Sequence, residues 1–257
     1  MKYNRLIMFC DYGLDDAIAT MHVLTNVDMF NYIDIVPIGG NVSVQTAYRN
    51  AHTLLAAAGA DKNKVRIVDT RNIKQCSADI PDVHGTDGIG DILEQKQSNV
   101  TVIDFQAFKK ELEGKKEPAH DCVLSLGPCT LPVMLGYVPF CTVLMAGTYK
   151  EQPNYGDYEF NEALDVPAFK TLAEKATAVA TLDSCHDKKL AFESFKTGDE
   201  LTDKLVDKYK DLCMSRSAPV AIYDYVAALA VTNPERFDAV RIRRADGVEF
   251  NQLQVKE

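Results

Sequence analysis

The sequence predicts an α/β fold: a doubly wound, mostly parallel sheet with helices on both faces, in one domain spanning residues 1–257. Three observations predict it. Short, continuously apolar, β-rich runs recur along the chain, as strands covered on both faces require. Stretches with apolar residues at helical spacing separate them. Loops rich in Asp, Asn and Gly then follow several apolar runs, at the carboxyl ends where open parallel sheets bind ligands.

Arg5–Cys10 reads as a first buried strand. Its apolar part is too short for a signal segment, and no small-residue cleavage site follows. Asp15–Thr25 is a helix whose two opening carboxylates suit a helix N-terminus. Strand Ile33–Ile38 leads through Gly39-Gly40-Asn41 into helix Val44–Ala58, capped by Ser43 and closed by Gly59. Strand Val65–Val68 and helix Phe105–Glu113 follow, and the polar run Lys109–Glu117 reads as the solvated end of that helix. Strand Cys122–Leu126 precedes helix Thr130–Tyr137, and strand Cys141–Ala146 precedes helix Pro167–Lys175. After strand Thr177–Leu182 come helices Lys188–Phe195, Thr202–Cys213 and Pro219–Val231. The chain shows no internal repeat, low-complexity segment or linker.

Composition narrows the function. A net charge of −9 argues against a phosphate-backbone binder, which needs a basic face. No run approaches the ~20 apolar residues that span a bilayer. The 7 cysteines include no C-x-x-C pair, and most lie beside apolar runs, which points to free thiols and a reducing cytosol.

Chemistry concentrates in Asp11-Tyr12-Gly13-Leu14-Asp15-Asp16. Asp11 follows a strand, Asp15 and Asp16 open a helix, and Gly13 permits a tight turn. Carboxylates gathered this closely repel one another unless a cation or hydrogen bonds offset the charge. Oxygen-only ligands favour calcium or magnesium. The Asp-x-Asp spacing of a haloacid dehalogenase-type phosphatase or a metal-dependent sugar-nucleotide transferase is not met, because Gly13 holds the second position.

The segment Phe9 to Ala17 resembles the D-x-D-P-G-x-D-D-A motif of the inosine–uridine nucleoside hydrolase family. Five further segments resemble that family in order: Gly40-Asn41 with Arg49-Asn50; His84-Gly85-Thr86-Asp87-Gly88-Ile89-Gly90; Leu126-Gly127-Pro128-Cys129-Thr130; Glu159-Phe160-Asn161-Glu162-Ala163-Leu164-Asp165; and Tyr223-Asp224-Tyr225-Val226-Ala227. The resemblance implies a Ca²⁺-dependent enzyme, a homodimer or homotetramer, that hydrolyses a small-molecule ribonucleoside to ribose and free base, and the cysteine pattern places it in the cytoplasm. It implies Asp11, Asp16, Asp224 and the Leu126 backbone carbonyl as metal ligands, with Asp11 also as general base. Asp15, Asn41, Glu159 and Asn161 would bind ribose, and Asn154 joins them if the loop tolerates a one-residue shift. A carboxylate-lined site suits the oxocarbenium-like state of N-glycoside cleavage.

The departures are specific. Phe9 replaces the first motif Asp, Tyr12 the proline, Leu131 an Asn and Tyr223 a His that lies near sugar and base. Tyr223 is then a candidate for the leaving-group role, with His84 as a second catalytic candidate. His186 reads as structural and outside the site, as do His22, His52 and His120. Tyr155, Tyr158 and Tyr225 are candidates for a pocket rim or the core. The segment between His186 and Pro219 is short, which together with Tyr223 points to a changed base, such as a 7-deazaguanine nucleoside. The competing reading is a non-catalytic nucleoside- or ribose-binding protein, motivated by Phe9 and Tyr223.

Overall fold

The computed structural model describes residues 3–114 and 120–256. Its strands are β1 (Tyr3–Cys10), β2 (Phe30–Pro37), β3 (Val65–Asp69), β4 (Thr101–Asp104), β5 (Asp121–Ser125), β6 (Cys141–Met145), β7 (Ala178–Ala180), β8 (Phe237–Arg243) and β9 (Glu249–Val255). Its helices are α1 (Leu14–Thr25), α2 (Val44–Ala57), α3 (Pro81–His84), α4 (Phe105–Glu113), α5 (Thr130–Leu135), α6 (Phe160–Leu164), α7 (Val166–Ala173), α8 (Leu182–Cys185), α9 (Glu200–Ser215) and α10 (Tyr223–Thr232). The strands form one sheet in the order β4-β3-β2-β1-β5-β6-β7-β9-β8, parallel throughout except for β8 against β9.

Alternation along β1 builds two cores. Leu6, Met8 and Cys10 join a cluster with residues of α1, α2, α9 and α10. Ile7 and Phe9 pack on the other face with Phe105 and Phe108 of α4 and Leu131 and Leu135 of α5. Helices therefore cover both faces of the sheet, which is why its central strands carry consecutive apolar residues such as Leu6–Cys10 and Cys122–Leu124. A charged exception in β2, the buried Asp34, is held by Arg5 and Arg66, and Glu111 of α4 bridges the same two guanidinium groups.

Strand order places the site. From β1 the sheet grows one way through β2 and the other way through β5. Loops leaving β1 and β5 diverge there and open a crevice at their carboxyl ends, the switch point of a doubly wound sheet.

Several elements differ from the sequence expectation. Lys188–Phe195 is not one helix but two 3-10 turns, Lys188–Leu190 and Phe192–Ser194, broken at Ala191 with φ +48°. The last helix starts at Tyr223 rather than Pro219, and in the stretch before it the Ala221 carbonyl accepts from the Tyr209 hydroxyl of α9 at 2.8 Å. Strand β7 stops at Ala180, and Thr181 caps α8 by accepting from Ser184 N–H. Strand β4 and the β8–β9 hairpin carry no continuous apolar run, so the sequence pattern did not mark them. The polar run from Lys109 leaves α4 at Glu113, and its last residues lie outside the described ones. Among the described residues, no helix is long and apolar enough to cross a membrane.

Candidate active site

Asp11 is the first residue after β1 and is fully buried. Asn41, in the loop leaving β2, donates to both its oxygens: backbone N–H to Oδ2 at 2.8 Å and side-chain Nδ2–H to Oδ1 at 2.9 Å. That clamp demands a glycine before Asn41, since a Cβ on Gly40 would stand 1.9 Å from Asp11 Oδ2. The turn expected of Gly13 is made instead by Tyr12, whose φ of +52° a proline cannot adopt. Gly13 serves close approach, because its Cβ would lie 2.6 Å from Asn41 Nδ2 and 2.7 Å from the His84 ring.

Asp15 and Asp16 stand in the first turn of α1, and Asp224 in the first turn of α10. One oxygen from each of Asp15, Asp16 and Asp224 lies within 4.8 Å of the others. Asp16 Oδ2 accepts from Gly13 N–H at 2.8 Å, while Asp16 Oδ1 and Asp15 Oδ1 are buried without a hydrogen-bond partner among the described residues, Asp15 Oδ1 standing 3.8 Å from His84 Nδ1. Such groups are costly to bury unless something positive meets them. Burial first, and then the Asp224 and Asp11 charges, pushes Asp16 well above the usual carboxylate range. Asp224 is pushed well up by burial and then by Asp15 and Asp11. Burial raises Asp15 to about 7, with Asp11 adding to it, and raises Asp11 to about 6 against the opposing hydrogen bonds from Asn41.

The opposite wall is the motif at α6. Glu159 caps this helix: its Oε2 accepts from Gly147 N–H at 2.8 Å and Glu162 N–H at 3.0 Å. Burial lifts its carboxyl to about 7 despite those donors. Asn161 donates from Nδ2 to the Leu126 carbonyl at 3.2 Å and the Met145 carbonyl at 3.0 Å, pinning the ends of β5 and β6. Its Oδ1 is buried with no hydrogen-bond partner among the described residues. Asn154 Oδ1 accepts from Phe160 N–H at 2.9 Å, so the loop before α6 folds onto the helix it precedes. Glu162, fully buried, receives two hydrogen bonds from Arg244 at 2.6 and 2.7 Å, which ties α6 to the β8–β9 turn.

Asp15, Asn41, Asn154, Glu159, Asn161 and Asp224 line one cavity of about 360 Å³. His84 borders it at the end of α3, and its Nδ1 accepts from Leu14 N–H at 3.1 Å, capping α1. An accepting Nδ1 places the ring proton on Nε2. Burial, reinforced by Arg216, lowers its pKa to about 3, so the ring is neutral. Tyr223 borders the cavity with its hydroxyl 3.0 Å from His186 Nε2.

Of the residues singled out from sequence, Asp15, Asn41, His84, Leu126, Asn154, Glu159, Asn161, Tyr223 and Asp224 all line this cavity, with Asp11 and Asp16 buried behind it. The converging trio contains Asp15 rather than Asp11. His186, read as structural and outside the site, lines the cavity: α8 delivers it beside α10, a proximity that sequence order hides. Tyr155 is at the rim, whereas Tyr225 is buried against His22, Phe192 and Phe195. Tyr209, Cys213 and Arg216 of the α9 region were missed altogether. Their only signal was helical periodicity, which does not distinguish a cavity wall from core. Phe9 turns away from the site into the cluster that holds Leu131, so both apolar departures sit in one hydrophobic layer.

The sequence profile described as inosine-uridine preferring nucleoside hydrolase matches residues 6–255. No curated protein matches the sequence significantly. Among solved structures, the purine-preferring ribonucleoside hydrolase from Gardnerella vaginalis superposes with a TM-score of 0.72 at 19% identity, covering 98% of this chain and 88% of that one. A plant nucleoside hydrolase gives 0.71 at 20% identity, covering 98% and 87%. The inosine-uridine preferring nucleoside hydrolase from Bacillus anthracis gives 0.67 at 15% identity, covering 99% and 95%. At these identities the superpositions establish the shared fold.

Proposed function

This chain belongs to the inosine-uridine preferring nucleoside hydrolase family, whose members hydrolyse N-glycosyl bonds, and from that premise we propose that it is a Ca²⁺-dependent ribonucleoside N-ribohydrolase. The observation that carries this reading is the convergence of buried Asp15, Asp16 and Asp224 oxygens beside an Asp11 clamped by Asn41. An all-oxygen donor set in which two carboxylate oxygens have no hydrogen-bond partner among the described residues fits a hard divalent cation. Asp11, Asp16, Asp224 and the Leu126 carbonyl would hold it, and Asp15 is near enough to serve either the cation or a sugar hydroxyl. When bound, the cation supplies the positive charge that acidifies a water molecule.

Asp11 takes the proton from the attacking water as general base, its carboxyl raised toward neutrality by burial. Asn41 fixes the direction of that carboxylate. Asp15 and Glu159 stabilise positive charge on the sugar as the C1′–N bond lengthens. Ribose hydroxyls find an acceptor in Asn161 Oδ1, and donors in the amide of Asn154, whose oxygen is already engaged. Neutral His84 offers an Nε2–H donor, and Tyr223 acts on the departing base. The same premise carries a cytosolic homodimer or homotetramer acting on a small molecule, with no nucleic-acid or membrane partner.

A chromatographic assay of a nucleoside panel for free base, including a 7-deazaguanine nucleoside, tests this. Base release that is lost with chelator and lowered at least roughly 1,000-fold by Asp11→Ala is expected. No release from any nucleoside, with Ca²⁺ shown to bind, would sink it. A binding-only protein is favoured by Tyr223 alone, because Phe9 does not reach the site. It requires tight nucleoside binding with no product over hours.

A further inference from the structure

His186 closes α8, and its Nε2 lies 3.0 Å from the Tyr223 hydroxyl, the two rings meeting edge to face with centroids 5.6 Å apart. On the other side of the ring, Nδ1 stands 3.7 Å from a Glu151 carboxylate oxygen, an ion-pair rather than a hydrogen-bond distance. The scaffold holds this arrangement at both ends. The Cys185 thiol donates to the Tyr223 carbonyl at 3.7 Å. The Asp183 carboxylate accepts from the backbone N–H groups of Tyr149, Lys150 and Glu151. One short helix therefore sets the His186 ring, the start of α10 and the loop that carries Glu151.

A phenol has one proton, and where it points depends on what its oxygen accepts. If the hydroxyl donated to His186, it would offer the cavity only lone pairs, which repel the electron pair gathering on a departing base. A His186 ring that bears its proton on Nε2 donates to the Tyr223 oxygen at the observed 3.0 Å. The hydroxyl proton is then free for the cavity.

We propose that His186 is a positioning residue for Tyr223: it donates from Nε2 to the phenol oxygen and turns the hydroxyl proton toward the leaving base. This rests on the ribohydrolase reading above. As the C1′–N bond breaks, its electron pair passes to the base nitrogen, and the Tyr223 hydrogen bond takes up part of that charge. Tyr223 keeps its proton. The C1′–O bond forms from water, whose proton goes to Asp11, and the base takes a proton from water on release.

Steady-state kinetics with Ca²⁺ present test this on two substrates. One is the fastest natural nucleoside of the panel, inosine as first choice, whose base leaves poorly. The other is p-nitrophenyl β-D-ribofuranoside, whose leaving group needs little help. His186→Phe is expected to lower kcat on the nucleoside roughly 10- to 100-fold with little change in KM, and to affect the aryl riboside far less. His186→Gln, which keeps an N–H near the Nε2 position, restores most of the loss. In a Tyr223→Phe background, His186→Phe adds no further loss. Equal losses on both substrates, or additive losses in the double variant, overturn the proposal and leave His186 a packing residue. If the unaltered chain hydrolyses the aryl riboside and His186→Phe leaves nucleoside turnover intact, this inference alone falls. If the unaltered chain hydrolyses neither substrate, the ribohydrolase reading falls and takes this one with it.

Discussion

Asp11 receives both of its close hydrogen bonds from a single residue, Asn41, and that residue has a position only because Gly40 lacks a side chain. In the general-base role proposed for it, a carboxylate directed by one partner is sensitive to that partner. Asn41→Ala is expected to lower kcat roughly 10- to 100-fold while the melting temperature changes little, a split read from kinetics and thermal denaturation together. A loss of turnover matched by a collapse in melting temperature would instead make Asn41 a folding residue. His84 shows the same economy, since the nitrogen that caps α1 also settles which nitrogen bears the proton. Phe9 and Leu131 look like two independent departures in the sequence, yet they occupy one apolar layer. A carboxylate or amide left alone there would be buried without partners.

The short elements do most of the placing. Helix α6 has five residues and carries Asn161 and Glu162, with Glu159 as its cap. Its orientation is held from outside by the Arg244–Glu162 pair, whose Glu162 side chain is fully buried. Removing one partner of such a pair leaves an uncompensated charge, which costs about 3–5 kcal/mol. Arg244→Ala should therefore lower the unfolding free energy by about that much, measured by denaturant titration. A loss under about 1 kcal/mol would show that solvent screens the pair as it does a surface bridge. Helix α10 makes the parallel point. Because it begins at Tyr223 and not at Pro219, Asp224 sits in its first turn, with the side chain directed at the α1 carboxylates.

At the scale of the whole molecule, the switch between β2 and β5 on either side of β1 gathers five buried carboxyls, Asp11, Asp15, Asp16, Glu159 and Asp224, around one crevice. Burial raises all of them. A raised folded-state pKa favours the protonated form. Its stabilising contribution is complete below the unfolded value of ~4 and is lost as pH rises through the folded values, about 6 for Asp11 and about 7 for Asp15 and Glu159. Metal-free protein should consequently melt at lower temperature at pH 8 than at pH 5. The proposed Ca²⁺, binding the charged forms, should reverse that loss, raising the melting temperature by roughly 5–10 °C at pH 8 when in large excess over its Kd. Scanning calorimetry with chelator and with Ca²⁺ at both pH values checks this. A Ca²⁺ shift as large at pH 5 as at pH 8 would contradict it.

Strand and helix identity along the central sheet was legible in the residues, because strands buried on both faces must be apolar throughout and amphipathic helices must repeat every 3.6 residues. The opening loop was legible for a related reason, since carboxylates crowded around a glycine have few structural uses, whereas the Glu159-Phe160-Asn161 segment was legible only through its resemblance to the family motif. The edge strand β4 and the β8–β9 hairpin were not, since half-exposed strands carry mixed residues. Nor was the cavity wall from α9, or the pairing of His186 with Tyr223 across 37 positions of sequence. Periodicity and motif spacing report what a residue does to its own element. Which residues from different elements meet is decided by packing, and packing depends on the long-range contacts that only the folded chain makes.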